Sequence, residues 1–164
     1  DQEAEMSEQQ LDILTVYQMV ANVPVARNQE DSDVLAGKAI FQQVGCSDCH
    51  VISFTTKNDK YAELDGQIIH PFTDLLLHDM GQGLADKRSE FSASGSEWRT
   101  TPLWGLGFVG TIGKVKQHYL HDGRARTIEE AILWHGGEAK SSQEKFKNLE
   151  KTDRINLIQF LKSL

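Results

Sequence analysis

Two cysteines and a histidine stand close together in the stretch GCSDCHV, as Cys46, Cys49 and His50, and the chain has no other cysteine. Two thiols separated by two residues and followed directly by a histidine form the pattern of covalent c-type haem attachment. Each thiol adds to one vinyl group of the porphyrin, and the histidine binds the iron from one side. The sequence therefore predicts one haem c, held by Cys46 and Cys49, with His50 as an axial ligand.

Two other chemistries use closely spaced cysteines. A thioredoxin-like redox pair opens a helix after a strand in a βαβ setting, whereas here the pair follows a helical pattern. A structural zinc site needs two further ligands, which His118 and His121 could supply, although a second tight pair of cysteines is the usual partner. Both alternatives fit the sequence less well than haem does.

The composition limits the remaining function classes. The chain has 164 residues, a hydrophobic fraction of 39% and a net charge of −7. It is long enough for one domain with its own core. The negative charge argues against nucleic acid as a partner, and no apolar run is long enough for a membrane span. The first ten residues, DQEAEMSEQQ, resemble no signal peptide, so a leader is expected to be absent or already removed.

Helical patterns lie at both ends of the chain. A capping box at Ser7 predicts a first helix to about Asn22, mostly apolar and therefore expected to be buried on most sides. Further helices are predicted from about Ser32 to the cysteines, from Thr127 to about His135, after a cap at Ser141, and from about Thr152 to the end. We expect a single mainly α domain, 1–164, with the segment 1–31 packing on it.

The middle of the chain, from Val51 to about Tyr119, is irregular. Asp65-Gly66 lies between short apolar runs and predicts a small β-hairpin within Tyr61–His70. So long a section without regular structure is unusual in a compact domain unless it surrounds something. A haem would replace the missing core.

The iron of a c-type haem normally takes a second axial ligand, for which Met or His is typical. The composition alone leaves this choice open among Met19, Met80, His70, His78, His118, His121 and His135.

Two terminal segments resemble those of cytochrome c domains. In GKAIFQQVGCSDCH a glycine, Gly37, is followed four residues later by an aromatic residue, Phe41, before the haem motif, and RINLIQFLKSL resembles the matching last helix. The resemblance implies a cytochrome c-like helical domain around one covalently bound haem. It also implies that the two helices cross near the haem, where the glycine permits close approach.

Three longer segments resemble a particular family: FTDLLLHDMGQGLAD, SGSEWRTTPLWGLG and YLHDGRARTIEEAILWHGGEA. They are similar to the C-terminal haem domain of the di-haem oxidoreductases, peroxidase-like proteins also described as thiol oxidoreductase-like. That family is related to bacterial di-haem cytochrome c peroxidases. The resemblance covers roughly residue 33 to the end of the chain.

This resemblance implies a distal ligand. In the related peroxidases, an HDG motif precedes a helix whose last turn carries the distal methionine, and here that position is His135. It therefore implies bis-histidine ligation by His50 and His135, with Met80 of the HDMG segment as the alternative. Arg99 is a candidate partner of a haem propionate, because a buried carboxylate needs a cationic or hydrogen-bonding partner. Trp104 is a candidate for packing on the porphyrin edge, with an ordinary core position as the alternative.

The resemblance also implies a function. A six-coordinate haem would transfer electrons as one part of a di-haem, peroxidase-like oxidoreductase, and another haem domain or a small redox protein would be its partner. The alternative is a catalytic haem domain with peroxidase-type activity at an iron whose distal ligand can be displaced. Because the chain has one haem motif, we expect no independent peroxidase activity from it. Covalent haem attachment takes place outside the bacterial cytoplasm, which implies the periplasm or another extracytoplasmic location.

Overall fold

The computed structural model describes residues 5–109, 111–112 and 116–164, and this part of the chain is mainly helical. Its α-helices are α1 (Glu8–Val20), α2 (Ser32–Gln43), α3 (Ile128–Trp134), α4 (Lys140–Lys147) and α5 (Lys151–Ser163). None of these described helices is long and apolar enough to cross a membrane. The predicted helices are thus confirmed, with their boundaries shifted by a few residues at most.

Two small antiparallel sheets lie in the irregular middle section. Strand β1 (Phe54–Thr55) pairs with β2 (Ile68–Ile69), and β3 (Leu77–Asp79) pairs with β4 (Glu97–Arg99). The hairpin predicted within Tyr61–His70 was placed wrongly, because its first strand lies before Tyr61. Gly66, with φ of +66°, begins the return and donates its N–H to the Thr56 carbonyl at 3.0 Å. The turn is therefore wider than the Asp65-Gly66 pattern indicated.

The core forms where α2 crosses α5. At Gly37 the two backbones are so close that a Cβ atom would lie 2.7 Å from the carbonyl carbon of Asn156 and 2.7 Å from the Cβ of Phe160. One turn later the Phe41 ring packs edge-on against Phe160, with ring centroids 5.4 Å apart. Phe72, from the middle section, contacts both rings at 5.9–6.1 Å and closes the cluster. The close approach predicted at Gly37 is confirmed.

Helix α1 contradicts the sequence analysis, which expected it to be buried on most sides. Ser7 forms the predicted capping box with Gln10, but no residue of α1 is buried. Ile13 and Tyr17 are 63% and 68% exposed, and the polar link from Asp12 to Lys60 is a surface contact of 3.4 Å. An apolar composition indicates that a helix tends to be covered, but it does not specify that the same chain provides the cover.

The connection after α1 is attached more firmly than the helix itself. The Arg27 backbone N–H donates to the Ser163 carbonyl at 2.8 Å, and its guanidinium donates to the Lys162 carbonyl at 2.6 Å. The same guanidinium stacks over the Phe108 ring, 4.1 Å from its centroid. These contacts fix the segment before α2 on the end of α5.

Helices α3 and α4 pack against each other, and each contributes a residue to the core, Ile128 and Phe146. The Thr127 side chain accepts from the Glu130 N–H at 3.0 Å, which confirms the predicted N-cap of α3. The cap predicted at Ser141 is wrong: a 3-10 turn at Gly137–Ala139 runs directly into α4, so Ser141 lies inside the helix. The Gln143 amide donates to the Leu133 carbonyl and joins α4 to the end of α3.

Candidate functional site

The cysteine–histidine motif folds into a tight turn after α2. Gly45 has a left-handed conformation with φ of +87°, which ends the helical path and opens a 3-10 turn at Cys46–Asp48. The Cys46 carbonyl then accepts from the N–H of Cys49 and, at 2.9 Å, from the N–H of His50. Because these bonds close within five residues, both thiols and the imidazole stand on one wall of the site.

The two thiols are unbridged and are held in their neutral form. Burial, with a smaller contribution from Asp48, raises the pKa of the Cys46 thiol to about 12. Burial also raises the pKa of the Cys49 thiol, followed by the nearby charges of Asp74 and Glu138. Redox-active cysteines and zinc ligands need a stabilised thiolate, and this environment opposes one. The site therefore suits thiols that are consumed in thioether bonds.

The His50 ring is held in one tautomer. Its Nδ1–H donates to the Phe72 carbonyl at 2.9 Å, so the lone pair is on Nε2. Burial lowers the pKa of His50 to about 4, which keeps the ring neutral. A metal-binding histidine commonly donates its other ring N–H to a carbonyl in this manner, because the bond orients the ring. His50 is thus prepared to offer Nε2 to a metal.

His135 has the same arrangement on a different element. It follows the last residue of α3, and its Nδ1–H donates to the Ala131 carbonyl at 2.8 Å. Burial lowers its pKa as well, although the bond to Ala131 acts in the opposite direction. The ring is therefore a second neutral imidazole whose Nε2 carries the lone pair.

A cavity of about 350 Å³ brings these groups together. That volume is within the range of small-molecule and cofactor sites. The helices supply part of its wall, and the irregular middle section supplies the rest. Its lining residues include both thiols, both imidazoles and several apolar side chains, namely Cys46, Cys49, His50, His135, Leu103, Leu106, Tyr119, Ile128 and Ile132. Paired thiols and one neutral imidazole are the groups that attach a c-type haem, and a second imidazole in the same apolar space can serve as the further ligand, so the residues fit the group.

The other predicted site residues have different positions. Met80 lines the cavity directly after β3, and Arg99, an exposed residue of β4, lines it as well. Trp104 is partly buried in the turn before the 3-10 segment Leu106–Phe108 and is not among the residues that line the cavity.

Sequence reasoning missed two aromatic residues of the cavity wall. Trp98 stacks on His121 with ring centroids 4.8 Å apart, and its indole N–H donates to the Leu84 carbonyl at 3.1 Å. Tyr119 is buried at 8% exposure. The only signal in the sequence was that Trp98 is adjacent to the candidate Arg99, which lines the same cavity.

The zinc alternative does not match the geometry. Within the described ranges, the one group of three potential metal ligands is Cys49, Asp74 and His78, and it includes neither His118 nor His121. The two ring nitrogens of His78 already donate to Asp74 at 2.8 Å and to Glu138 at 2.9 Å. This histidine therefore has no lone pair to give to an ion.

Comparison with known proteins places the chain in a family. The family model described as "Di-haem oxidoreductase, putative peroxidase" matches residues 1–164, the whole of the sequence. The chain therefore belongs to the di-haem oxidoreductase family, as the sequence motifs indicated, and membership implies haem binding. No curated protein and no solved structure matches the sequence.

Proposed function

We propose that the chain is an electron-transferring domain that holds one haem c, with Cys46 and Cys49 as the covalent attachments and His50 and His135 as the axial ligands. The arrangement of α2, α5 and the haem motif supports a cytochrome c-like fold for this domain. When bound, the haem supplies a one-electron couple.

One observation carries the proposal: the cavity that contains both thiols also contains two imidazoles in the same tautomer. His50 and His135 each use Nδ1–H for a backbone carbonyl, at 2.9 and 2.8 Å. Burial lowers the pKa of each ring, so Nε2 carries no proton at neutral pH and its lone pair is available to a metal. Two prepared nitrogen donors leave no ligand position for peroxide, which favours electron transfer over catalysis.

The remaining walls have supporting roles in this proposal. Apolar residues such as Leu103 and Ile132 line the cavity, and an apolar environment strengthens electrostatic interactions inside it. Arg99 lines the cavity yet is exposed, a position that suits the pairing of its guanidinium with a propionate at the rim. We expect Arg99 to hold the propionate edge of the haem at the rim of the cavity, where neither charge is deeply buried.

The family suggests the kind of partner. Its name specifies two haems, whereas this sequence has one Cys-x-x-Cys-His motif. We therefore infer that another haem domain, or a small redox protein, exchanges electrons with this one. An extracytoplasmic location follows from covalent haem attachment and from no other feature.

A catalytic role is the second candidate, because the family description includes a peroxidase. It requires that His135 leave its position and open the cavity for a small ligand. Carbon monoxide tests this directly in the reduced holoprotein. Slow or absent binding is expected for the electron-transfer domain, whereas rapid and complete binding would favour the catalytic one.

The ligand assignment is tested with three single variants of the holoprotein. In His135→Ala, optical and electron paramagnetic resonance spectra should lose the low-spin bis-histidine signature. His70→Ala is the matched control, since His70 is exposed and lies outside the cavity lining. If Met80→Ala removes the native signature and His135→Ala does not, Met80 is the distal ligand and the assignment is wrong.

A further inference from the structure

The loop that carries His135 and the loop that carries Met80 touch through their backbones. A Cβ atom on Gly136 would lie 2.9 Å from the Met80 carbonyl oxygen, and one on Gly81 would lie 2.9 Å from the Gly137 nitrogen. The candidate distal ligand and its alternative are therefore on two loops packed against each other, and both line the same cavity. The relative position of these loops would therefore affect which of the two side chains a metal in the cavity could bind.

Glu138 joins the two loops with both of its carboxylate oxygens. Oε1 accepts from the Asp79 backbone N–H at 2.9 Å, and Oε2 accepts from the His78 Nδ1–H at 2.9 Å. Strand β3, which contains His78 and Asp79, directly precedes Met80. Glu138 thus connects a point three residues after His135 to the two residues before Met80.

The His78 side of this contact is itself anchored. His78 donates its Nε2–H to Asp74 at 2.8 Å, and the other Asp74 oxygen accepts from the Leu76 N–H at 2.9 Å. The neighbouring Thr73 is fully buried and donates its N–H to the Val51 carbonyl, next to the haem motif, at 3.0 Å. The network therefore runs from the loop after His135 to the segment that follows His50.

The backbone around His135 has few restraints of its own, so contacts with other segments must fix its position. It follows the last residue of a seven-residue helix and has an extended backbone with ψ of 118°, and Gly136 and Gly137 come next. Two glycines after a short helix give the backbone little restraint of its own. The hydrogen bond to Ala131 orients the ring, but it does not hold the loop against Met80.

We propose that Glu138 is a positioning residue for the distal histidine: by joining the His135 loop to β3, it keeps the His135 Nε2 available in the cavity and keeps Met80 from taking that place. This inference rests on the proposed role of His135. Without Glu138, a part of the molecules should exchange histidine for methionine ligation, and methionine raises the reduction potential.

The test compares Glu138→Ala with Glu138→Gln in the holoprotein. The alanine variant should show a severalfold loss of the bis-histidine signal in electron paramagnetic resonance and near-infrared magnetic circular dichroism, with a higher midpoint potential. The glutamine variant keeps an acceptor for the Asp79 N–H and should retain native ligation. Glu144→Ala is the matched control, because it removes two surface ion pairs, with Lys140 and Lys147, outside the cavity lining.

A change of charge alone must be distinguished from positioning. If the alanine and glutamine variants raise the potential equally and both keep bis-histidine spectra, Glu138 acts only through its charge, and the proposal is overturned. Native spectra and potential in Glu138→Ala would overturn it as well. If Glu138→Ala yields no loaded protein, Glu138→Asp keeps the charge but shortens the side chain by one methylene, which weakens its contacts with Asp79 and His78. It should give the same partial exchange of ligands, while native ligation in that variant would refute the idea.

Two further variants separate this inference from the proposed function. In the Glu138→Ala background, Met80→Ala should abolish the new methionine signature; its persistence would contradict the ligand exchange. If His135→Ala retains the native spectrum, the ligand assignment itself fails. If His135→Ala loses that spectrum while Glu138→Ala retains it, only the positioning role of Glu138 fails.

Discussion

Replacing Gly37 by alanine should weaken the crossing of α2 and α5, the largest helix contact of the fold. The new Cβ would lie 2.7 Å from both the Asn156 carbonyl carbon and the Phe160 Cβ, whereas carbon atoms in ordinary contact are about 3.5–4.0 Å apart. The helices must therefore separate by about 1 Å. Overpacking of this kind costs about 1–3 kcal/mol and occasionally more. Alanine recovers about 1 kcal/mol in helix propensity.

The net cost of Gly37→Ala is therefore about 2 kcal/mol, from the upper part of the overpacking range less the propensity gain. For a domain of this size, it corresponds to a fall in Tm of about 4–8 °C. The assay is thermal unfolding followed by circular dichroism at matched haem content. Gly83→Ala is the control, because its nearest neighbours, ring carbons of Trp134, lie at the ordinary distances of 3.8 and 3.9 Å. A Gly37→Ala protein that melts together with the native one would refute the reasoning.

Three further predictions concern the site and the N-terminal helix. Replacing Cys46 and Cys49 together by alanine should give a protein whose haem is lost on denaturation, and the intact mass should be that of the bare polypeptide; a retained haem mass would contradict covalent attachment. Hydrogen bonds to the carboxylates of Glu138 and, next, Asp74 raise the pKa of His78. The protonated ring therefore stabilises the fold fully below pH about 6.5, and this contribution is lost as the pH rises through the raised pKa. Urea unfolding between about pH 6 and about pH 9 should therefore depend less on pH in His78→Asn, and parallel profiles would disprove the pairing. Deleting residues 1–22 should leave the Tm of the isolated chain within about 2 °C of native, since α1 buries no residue, and a larger fall would show that the helix supports the fold.

The sequence was sufficient for features whose determinants are local. The Cys46–His50 motif closes on itself through hydrogen bonds that span at most four residues, so its spacing already described the wall of the site. The caps at Ser7 and Thr127 likewise depend on a side chain and an N–H three residues apart. In each case the interacting groups are so close along the chain that a pattern of residue types indicates the contact.

Other features depend on contacts that no local pattern encodes. Strands β3 and β4 are separated by 17 residues of irregular chain, with one pair joining His78 to Trp98, and neither strand has enough residues to display alternation. Glu138 reaches His78 across 60 positions. The wrong prediction for α1 has a related cause. An apolar composition indicates that a helix tends to be buried, but it does not indicate which surface buries it. These contacts exist only in the three-dimensional arrangement of the chain.

The choice of distal ligand shows how the two kinds of information combine. Resemblance pointed to His135 and kept Met80 as the alternative, and the cavity contains both, so position alone does not separate them. The hydrogen bonds do favour one of them, because His135 repeats the arrangement of His50, with Nδ1–H on a carbonyl. Both partly buried rings line the cavity, and a metal-binding histidine commonly uses its other ring N–H in this way to fix the orientation of the ring. The paired orientation of the two rings is therefore the strongest structural argument for bis-histidine ligation.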